Sequence, residues 1–362
     1  MPLVPTNIES LQPYIPGKPI EEVEREYGVS NVAKLASNEN ALGPSPKALA
    51  AAREACAKVH LYPDGSAYYL KSALAAKLGV PLEEVFVGNG SNELIELLVR
   101  TFVLEGEEVL TSQGTFIAYK LAANAHGRTL IEAPMRDRAY DLVSLREHLT
   151  RRTKVVFLAN PDNPTGTCFG RAELEPFLAA VPKGVLVVLD EAYREFVTAS
   201  DYPDGLALRK RHPGVVVLRT FSKIYGLAGL RLGYGVARRE LVEYLDRVRA
   251  PFNVNLVAQA AGVAALSDDE HVRRSQALVA SERPFLAAGL AALGARVFPS
   301  QGNFVMADFG RSGKEIFEAM LREAVVVRPV GGYGFPTSLR ITVGLRHENE
   351  RCLAALAKVL GK

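Results

Sequence analysis

The sequence predicts an α/β fold: a large lobe on a mostly parallel sheet, followed by a small α+β lobe. Three observations carry this. Short apolar runs at 85–87, 155–159, 185–189 and 215–218 alternate with helical stretches such as 93–104 and 142–149, up to about residue 250. Pro251-Phe252-Asn253-Val254-Asn255 breaks the alternation, and a long helical stretch over 256–293 leads away from it. Residues 295–362 then mix strand-like and helical patterns. A chain of 362 residues, 48% hydrophobic, is long enough to bury a large core in two lobes.

Each apolar run ends in residues that can do chemistry. Run 85–87 passes into Gly88-Asn89-Gly90-Ser91-Asn92-Glu93, a glycine turn opening a helix. Free backbone amides at such a helix start, with Ser91 and Asn92, bind anions. A dinucleotide fingerprint is not present, because its sixth position is Glu93 rather than Gly or Ala. Run 155–159 leads into Asn160-Pro161-Asp162-Asn163-Pro164-Thr165-Gly166, where two Asn-Pro steps force a turn. As one more strand end in the series, Asn163 can donate its amide to a ring oxygen of a bound cofactor.

Run 185–189 ends in Asp190-Glu191-Ala192-Tyr193. An acid directly after an apolar run lies at the carboxyl end of a buried strand, the edge at which open α/β sheets bind ligands. A carboxylate there can hold the pyridine nitrogen of pyridoxal 5'-phosphate protonated, and Tyr193 can reach the ring hydroxyl. The magnesium strand of a P-loop ATPase reads similarly. That chemistry needs a Gly-x-x-x-x-Gly-Lys-Ser/Thr loop. The sequence has none, and Gly310-Arg311-Ser312-Gly313-Lys314 is too short. Run 215–218 leads into Thr220-Phe221-Ser222-Lys223. A lysine at the mouth of a buried strand is costly unless its amine is used, and a covalent link to an aldehyde cofactor uses it. The hydroxyls of Thr220 and Ser222 and the charge of Arg231 suit a phosphate on the same cofactor. Downstream, Val325-Val326-Val327-Arg328-Pro329 and Ser338-Leu339-Arg340 put two arginines at strand-like positions. Their forks suit carboxylate and phosphate alike. Gly331-Gly332-Tyr333-Gly334 between them reads as a mobile loop.

In this order the segments resemble the fold-type I pyridoxal-phosphate aminotransferases, and most narrowly the histidinol-phosphate aminotransferase family. The likeness runs from Leu11-Gln12-Pro13-Tyr14-Ile15-Pro16-Gly17-Lys18 to Leu339-Arg340-Ile341-Thr342-Val343-Gly344. It includes Lys34-Leu35-Ala36-Ser37-Asn38-Glu39-Asn40 and Tyr62-Pro63-Asp64-Gly65. The resemblance implies that Lys223 carries the cofactor and moves the proton, that Asp190 pairs with the pyridine nitrogen, and that Asn163 and Tyr193 bond the ring oxygen. It implies that Ser91, Asn92, Thr220, Ser222 and Arg231 hold the phosphate and that Phe116 stacks on the ring. Arg328 and Arg340 are the residues expected to take the anionic end of the substrate, with Tyr14 and Asn303 lining the same pocket. The family usually has proline where this chain has Gly114, so that loop is expected to be placed differently.

The resemblance also implies a homodimer with a shared active site, Tyr62 reaching the phosphate of the neighbouring subunit's cofactor. The domains expected are an arm over 1–33 that packs across the partner, a large cofactor-binding domain over 34–255, and a linker helix with a small α+β domain over 256–362. The expected reaction passes the amino group of L-histidinol phosphate to 2-oxoglutarate in histidine biosynthesis. The products are imidazole-acetol phosphate and L-glutamate, and the two half-reactions share one site. An aromatic amino acid aminotransferase shares most of these motifs. A pyridoxal-phosphate decarboxylase, or a cofactor-binding protein without transaminase activity, is the reading from another class.

Composition narrows the partners. A net charge of +3 is too small to argue for nucleic acid or a membrane surface. Cys56, Cys168 and Cys352 are odd in number and lack metal-like spacing, which suggests free thiols in a reducing compartment, the cytoplasm. The six histidines form no metal-like grouping, so no metal is expected. Met1-Pro2-Leu3-Val4-Pro5 does not open a signal peptide, and no run approaches the roughly 18 apolar residues of a membrane span.

Overall fold

Apolar runs of three to five residues can be buried on both faces only when helices cover both sides of a sheet. A computed structural model describes residues 3–9, 11 and 17–362, and shows that arrangement. β1 (Ala33–Lys34) comes first, and the large sheet follows. Its strands are β2 (Val85–Gly88), β3 (Glu108–Ser112), β4 (Thr129–Ala133), β5 (Thr153–Ala159), β6 (Leu186–Asp190), β7 (Val215–Thr220) and β8 (Gly233–Val236). Their spatial order is β2-β8-β7-β6-β5-β3-β4. All neighbours run parallel except β8, which is antiparallel to both β2 and β7. Every residue of β6 and β7 is buried.

The second lobe holds β9 (Arg296–Val297), β10 (Phe304–Asp308), β11 (Val325–Val326), β12 (Arg328–Pro329) and β13 (Ser338–Thr342). β12, β13, β10 and β9 form an antiparallel sheet in that order. β11 instead pairs in parallel with β1, which ties the start of the described chain to the second lobe. One buried apolar cluster runs from Val85 and Val87 through Ala258 and Leu286 to Phe304 and Ile341, so the two lobes share a core cluster.

The expected helix over 256–293 is two helices, Leu256–Leu266 and Asp269–Ala292. The break is a capping event. Asp268 accepts from the His271 amide as N-cap, and Ser45 Oγ donates to its other oxygen at 2.6 Å. Part of the predicted arm packs on its own chain: helix Ile20–Tyr27 buries Val23 against Ala36, Leu321 and Val326. The glycine-rich segment read as a mobile loop contains a 3₁₀ turn, Gly331–Tyr333, closed by Gly334 at φ 88°.

Candidate functional site

The parallel strands all deliver their carboxyl ends to one edge of the large sheet, and a cavity with about 1070 Å³ of open space lies there. β8 runs the other way, so its first residue reaches the same edge. Gly233 is in register with Gly88 on one side and Thr220 on the other. That pairing brings Arg231, just before β8, to the start of helix Ser91–Phe102, just after β2. The approach is close enough to require glycine. A Cβ on Gly233 would lie 2.4 Å from the Ser91 amide nitrogen, and one on Gly90 would lie 2.5 Å from Arg231 Nη2. A guanidinium beside the free amides of a helix start is a site for a dianion. Ser91, Asn92, Thr220, Ser222 and Arg231 all line the cavity there. Thr220 Oγ1 also accepts from the Ser222 amide at 3.0 Å, which shapes the turn into Lys223.

Lys223 lies on the cavity wall with Nζ 3.1 Å from the Ser37 carbonyl oxygen. Burial pushes its ammonium down to about 7, Arg340 and Arg231 push the same way, and Glu39 opposes them. About half of the amine is therefore neutral at neutral pH. Asp190, at the end of β6, is buried, and its burial pushes the carboxyl up to about 6. Tyr119 Oη donates to Asp190 Oδ2 at 2.8 Å, while Oδ1 has no hydrogen-bond partner among the described residues. Tyr193 is buried, accepts from Asn38 Nδ2 at 3.0 Å, and is raised to about 12 chiefly by burial.

The small sheet builds another wall of the cavity. Arg328 and Arg340 are directly opposed in the β12–β13 pairing, so both project from one face. Both line the cavity, as do Asn163 and Phe116. Arg340 is buried, donates to Asn163 Oδ1, and reaches the Ala36 carbonyl at 2.6 Å. With Oδ1 engaged, Asn163 keeps Nδ2 as a donor.

Three sequence-chosen residues stand apart. Asn303 is fully buried behind the wall, where Nδ2 donates to the carbonyls of Asn38 and Glu39 at 3.1 and 3.2 Å. It does not line the cavity; it holds the segment that does, because its partners are backbone atoms of that wall. Tyr62 is 82% exposed, outside the cavity, and stacks on Phe252 at 4.8 Å. Tyr14 lies outside the described residues. Among the cavity residues not singled out from sequence are Asn38, Glu39, Tyr119 and Tyr333. Tyr119 had a readable signal, since it follows Phe116 by one helical turn.

The model of the class I and II aminotransferases matches residues 30–357. The histidinol-phosphate aminotransferase of Anaeromyxobacter sp. is 77% identical over 363 residues, covering 100% of both chains. That of Moorella thermoacetica is 49% identical over 98% of this chain and 92% of its own. Among solved structures, the histidinol-phosphate aminotransferase of Sinorhizobium meliloti in complex with pyridoxal-5'-phosphate superposes with a TM-score of 0.92. It is 31% identical, covering 100% of this chain and 98% of that one.

Proposed function

The chain belongs to the histidinol-phosphate aminotransferases within the class I and II aminotransferases, and from that premise we propose how its cavity divides the work. The protein transfers the amino group of L-histidinol phosphate to 2-oxoglutarate, giving imidazole-acetol phosphate and L-glutamate, with pyridoxal 5'-phosphate as cofactor. The residues fit that group. Asp190 Oδ1 is a buried oxygen lacking a donor, and a protonated pyridine nitrogen supplies one together with the positive charge the carboxylate lacks. When bound, the cofactor supplies the aldehyde and the electron sink that amino transfer needs.

The chain's own residues then have distinct tasks. Lys223 Nζ would hold the cofactor covalently and, when displaced by the donor amine, would move the proton that leaves the amine's α-carbon. Its depressed proton affinity suits that task at neutral pH. Tyr119 fixes one oxygen of Asp190 so that the other faces its partner. Asn163 and Tyr193 bond the ring oxygen, and Phe116 covers a ring face. Ser91, Asn92, Thr220, Ser222, Arg231 and the helix start hold the phosphate. Arg328 and Arg340, with Tyr14, take the anionic end of the amine and then the distal carboxylate of the oxo acid.

We further infer a dimer. Val59, Leu61, Tyr62, Tyr68, Tyr69 and Phe252 are exposed apolar side chains, Tyr62 stacked on Phe252 and Tyr68 edge-on to Tyr69, and they suit a face buried against a second copy. Tyr62 on that face completes the neighbour's phosphate site. The large domain is taken as 34–255 and the small one, with its linker helices, as 256–362. The three free cysteines suit a cytoplasmic enzyme.

The observation that carries the reading is one cavity holding Lys223 and Asp190 at one end and two opposed arginines at the other. The test is a comparison of specificity constants. Histidinol phosphate exceeds free histidinol by orders of magnitude, because a site built for an anion rejects an amine that leaves its charges unpaired, and it also exceeds phenylalanine and tyrosine, whose carboxylate gains less from two arginines than a phosphate dianion does. Faster turnover of phenylalanine replaces the substrate with aromatic amino acids while leaving the chemistry intact.

A further inference from the structure

The substrate end of the cavity is held against the large lobe by contacts that the division of labour above leaves unused. Tyr333 lines the cavity from the 3₁₀ turn Gly331–Tyr333, between the two arginines in sequence. Behind the turn lies Gly114, at φ +64°. A Cβ there would lie 2.8 Å from the Tyr333 carbonyl oxygen and 2.8 Å from Phe335 Cζ. The first of these is backbone and cannot move aside without moving the turn. The loop leading to Phe116 therefore carries the Tyr333 turn directly, and it does so because residue 114 has no side chain.

A second large-lobe residue closes the clamp. The guanidinium of Arg138 lies 4.6 Å from the Phe298 ring centroid and 5.2 Å from that of Phe335. It donates to Asp308 Oδ2 at 2.6 Å and to Ser338 Oγ at 2.8 Å, so it is fixed to β10 and β13. Tyr333 and Phe335 pack on the buried cluster of Phe298, Met306 and Val330 between these anchors.

We propose that Tyr333 is a specificity-determining residue for the anionic end of the amine, and that Gly114 and Arg138 are positioning residues that set where it stands. The proposal rests on the reading of Arg328 and Arg340 as the anion grip. A phenol is a neutral donor that adds a directional bond to a phosphate oxygen beside two guanidinium groups. Its value depends on placement within a few tenths of an ångström, and the clamp supplies that placement.

The test uses the cofactor-loaded enzyme and compares the specificity constants of histidinol phosphate and free histidinol. In Tyr333→Phe the ratio of the two falls about tenfold, the scale of one hydrogen bond to a charged group. In Arg138→Met the ratio falls in the same direction, mainly through KM for histidinol phosphate, while cofactor affinity by absorbance titration is unchanged. The double variant loses little beyond Tyr333→Phe alone, because both act through one phenol. Gly114→Ala behaves as Arg138→Met does; should it fail to fold, the Arg138 and Tyr333 pair decides. An Arg138→Met enzyme that loses both substrates equally has only a structural defect, and an unchanged ratio in Tyr333→Phe removes the phenol from specificity; either overturns the proposal. A wild-type enzyme without preference for histidinol phosphate overturns the substrate reading and this proposal together, whereas a normal preference that the variants leave intact overturns this proposal alone.

Discussion

The two ends of the cavity are built in opposite ways. At the cofactor end, Asn163, Asp190, Thr220 and Lys223 each stand at or just past the carboxyl end of a buried parallel strand. Their positions follow from local sequence and from the sheet's own geometry. At the substrate end, Arg328 and Arg340 come from a small antiparallel sheet, Ala36 and Asn38 from a segment hundreds of residues away, and Tyr333 from a turn propped on Gly114. The first end is a strand-edge site of general use. The second is an assembly of distant pieces. Chemistry common to all donors belongs to the first end, and discrimination among donors to the second.

The largest effect that tests this division is at Lys223. Lys223→Ala lowers turnover by about 10⁴-fold for every donor, the upper range for a positioned proton-transfer group. A loss confined to histidinol phosphate would break the comparison. Asp190→Ala follows, with turnover down by about 10²- to 10³-fold, the scale of one preorganised electrostatic stabiliser. Single-turnover rates check that the loss is equal with histidinol phosphate and with glutamate. The depressed proton affinity of Lys223 gives a pH signature. Its neutral form dominates above about 7, so the rate at which apo-protein takes up the cofactor falls about tenfold per unit below that value and levels off above it. A midpoint near 10 would mean that the amine is solvated.

Arg328→Ala sharpens the other side. It lowers the specificity constant for histidinol phosphate by about 10- to 100-fold while cofactor affinity stays within twofold. Arg340→Ala is different, because Arg340 also holds Asn163 and the Ala36 carbonyl, so it weakens both ends at once. The smallest effect is at Tyr62. Tyr62→Phe weakens cofactor binding about fivefold in the dimer, the scale of one hydrogen bond, and sedimentation of the loaded enzyme shows two subunits.

The same contrast explains what could be read from the sequence. Strand ends announced Lys223, Asp190 and Asn163, because a polar residue directly after an apolar run marks the sheet edge. The helix start at Ser91 was legible from its glycines. Arg231 was legible from its charge downstream of Lys223, and the antiparallel course of β8 is what brings it beside Ser91. Asn303 was chosen for the pocket but supports its wall, because its partners are carbonyls of a segment 265 positions away in sequence. The helix break at Asp268 had a local signal that was missed, an aspartate that caps the His271 amide, and Ser45 holds that aspartate from far upstream. Tyr119 was within reach of a helical-turn argument, while Arg138 and Tyr333 depend on how the lobes meet. Local rules recover what one strand positions, and fail where two lobes share a contact.

The most direct test of the account is to reduce the purified, cofactor-loaded enzyme with borohydride and map the modified peptide by mass spectrometry. The account predicts one pyridoxyl-phosphate adduct per chain, on Lys223, and none in Lys223→Ala. An adduct on another lysine, or a chain that takes up no cofactor, contradicts it.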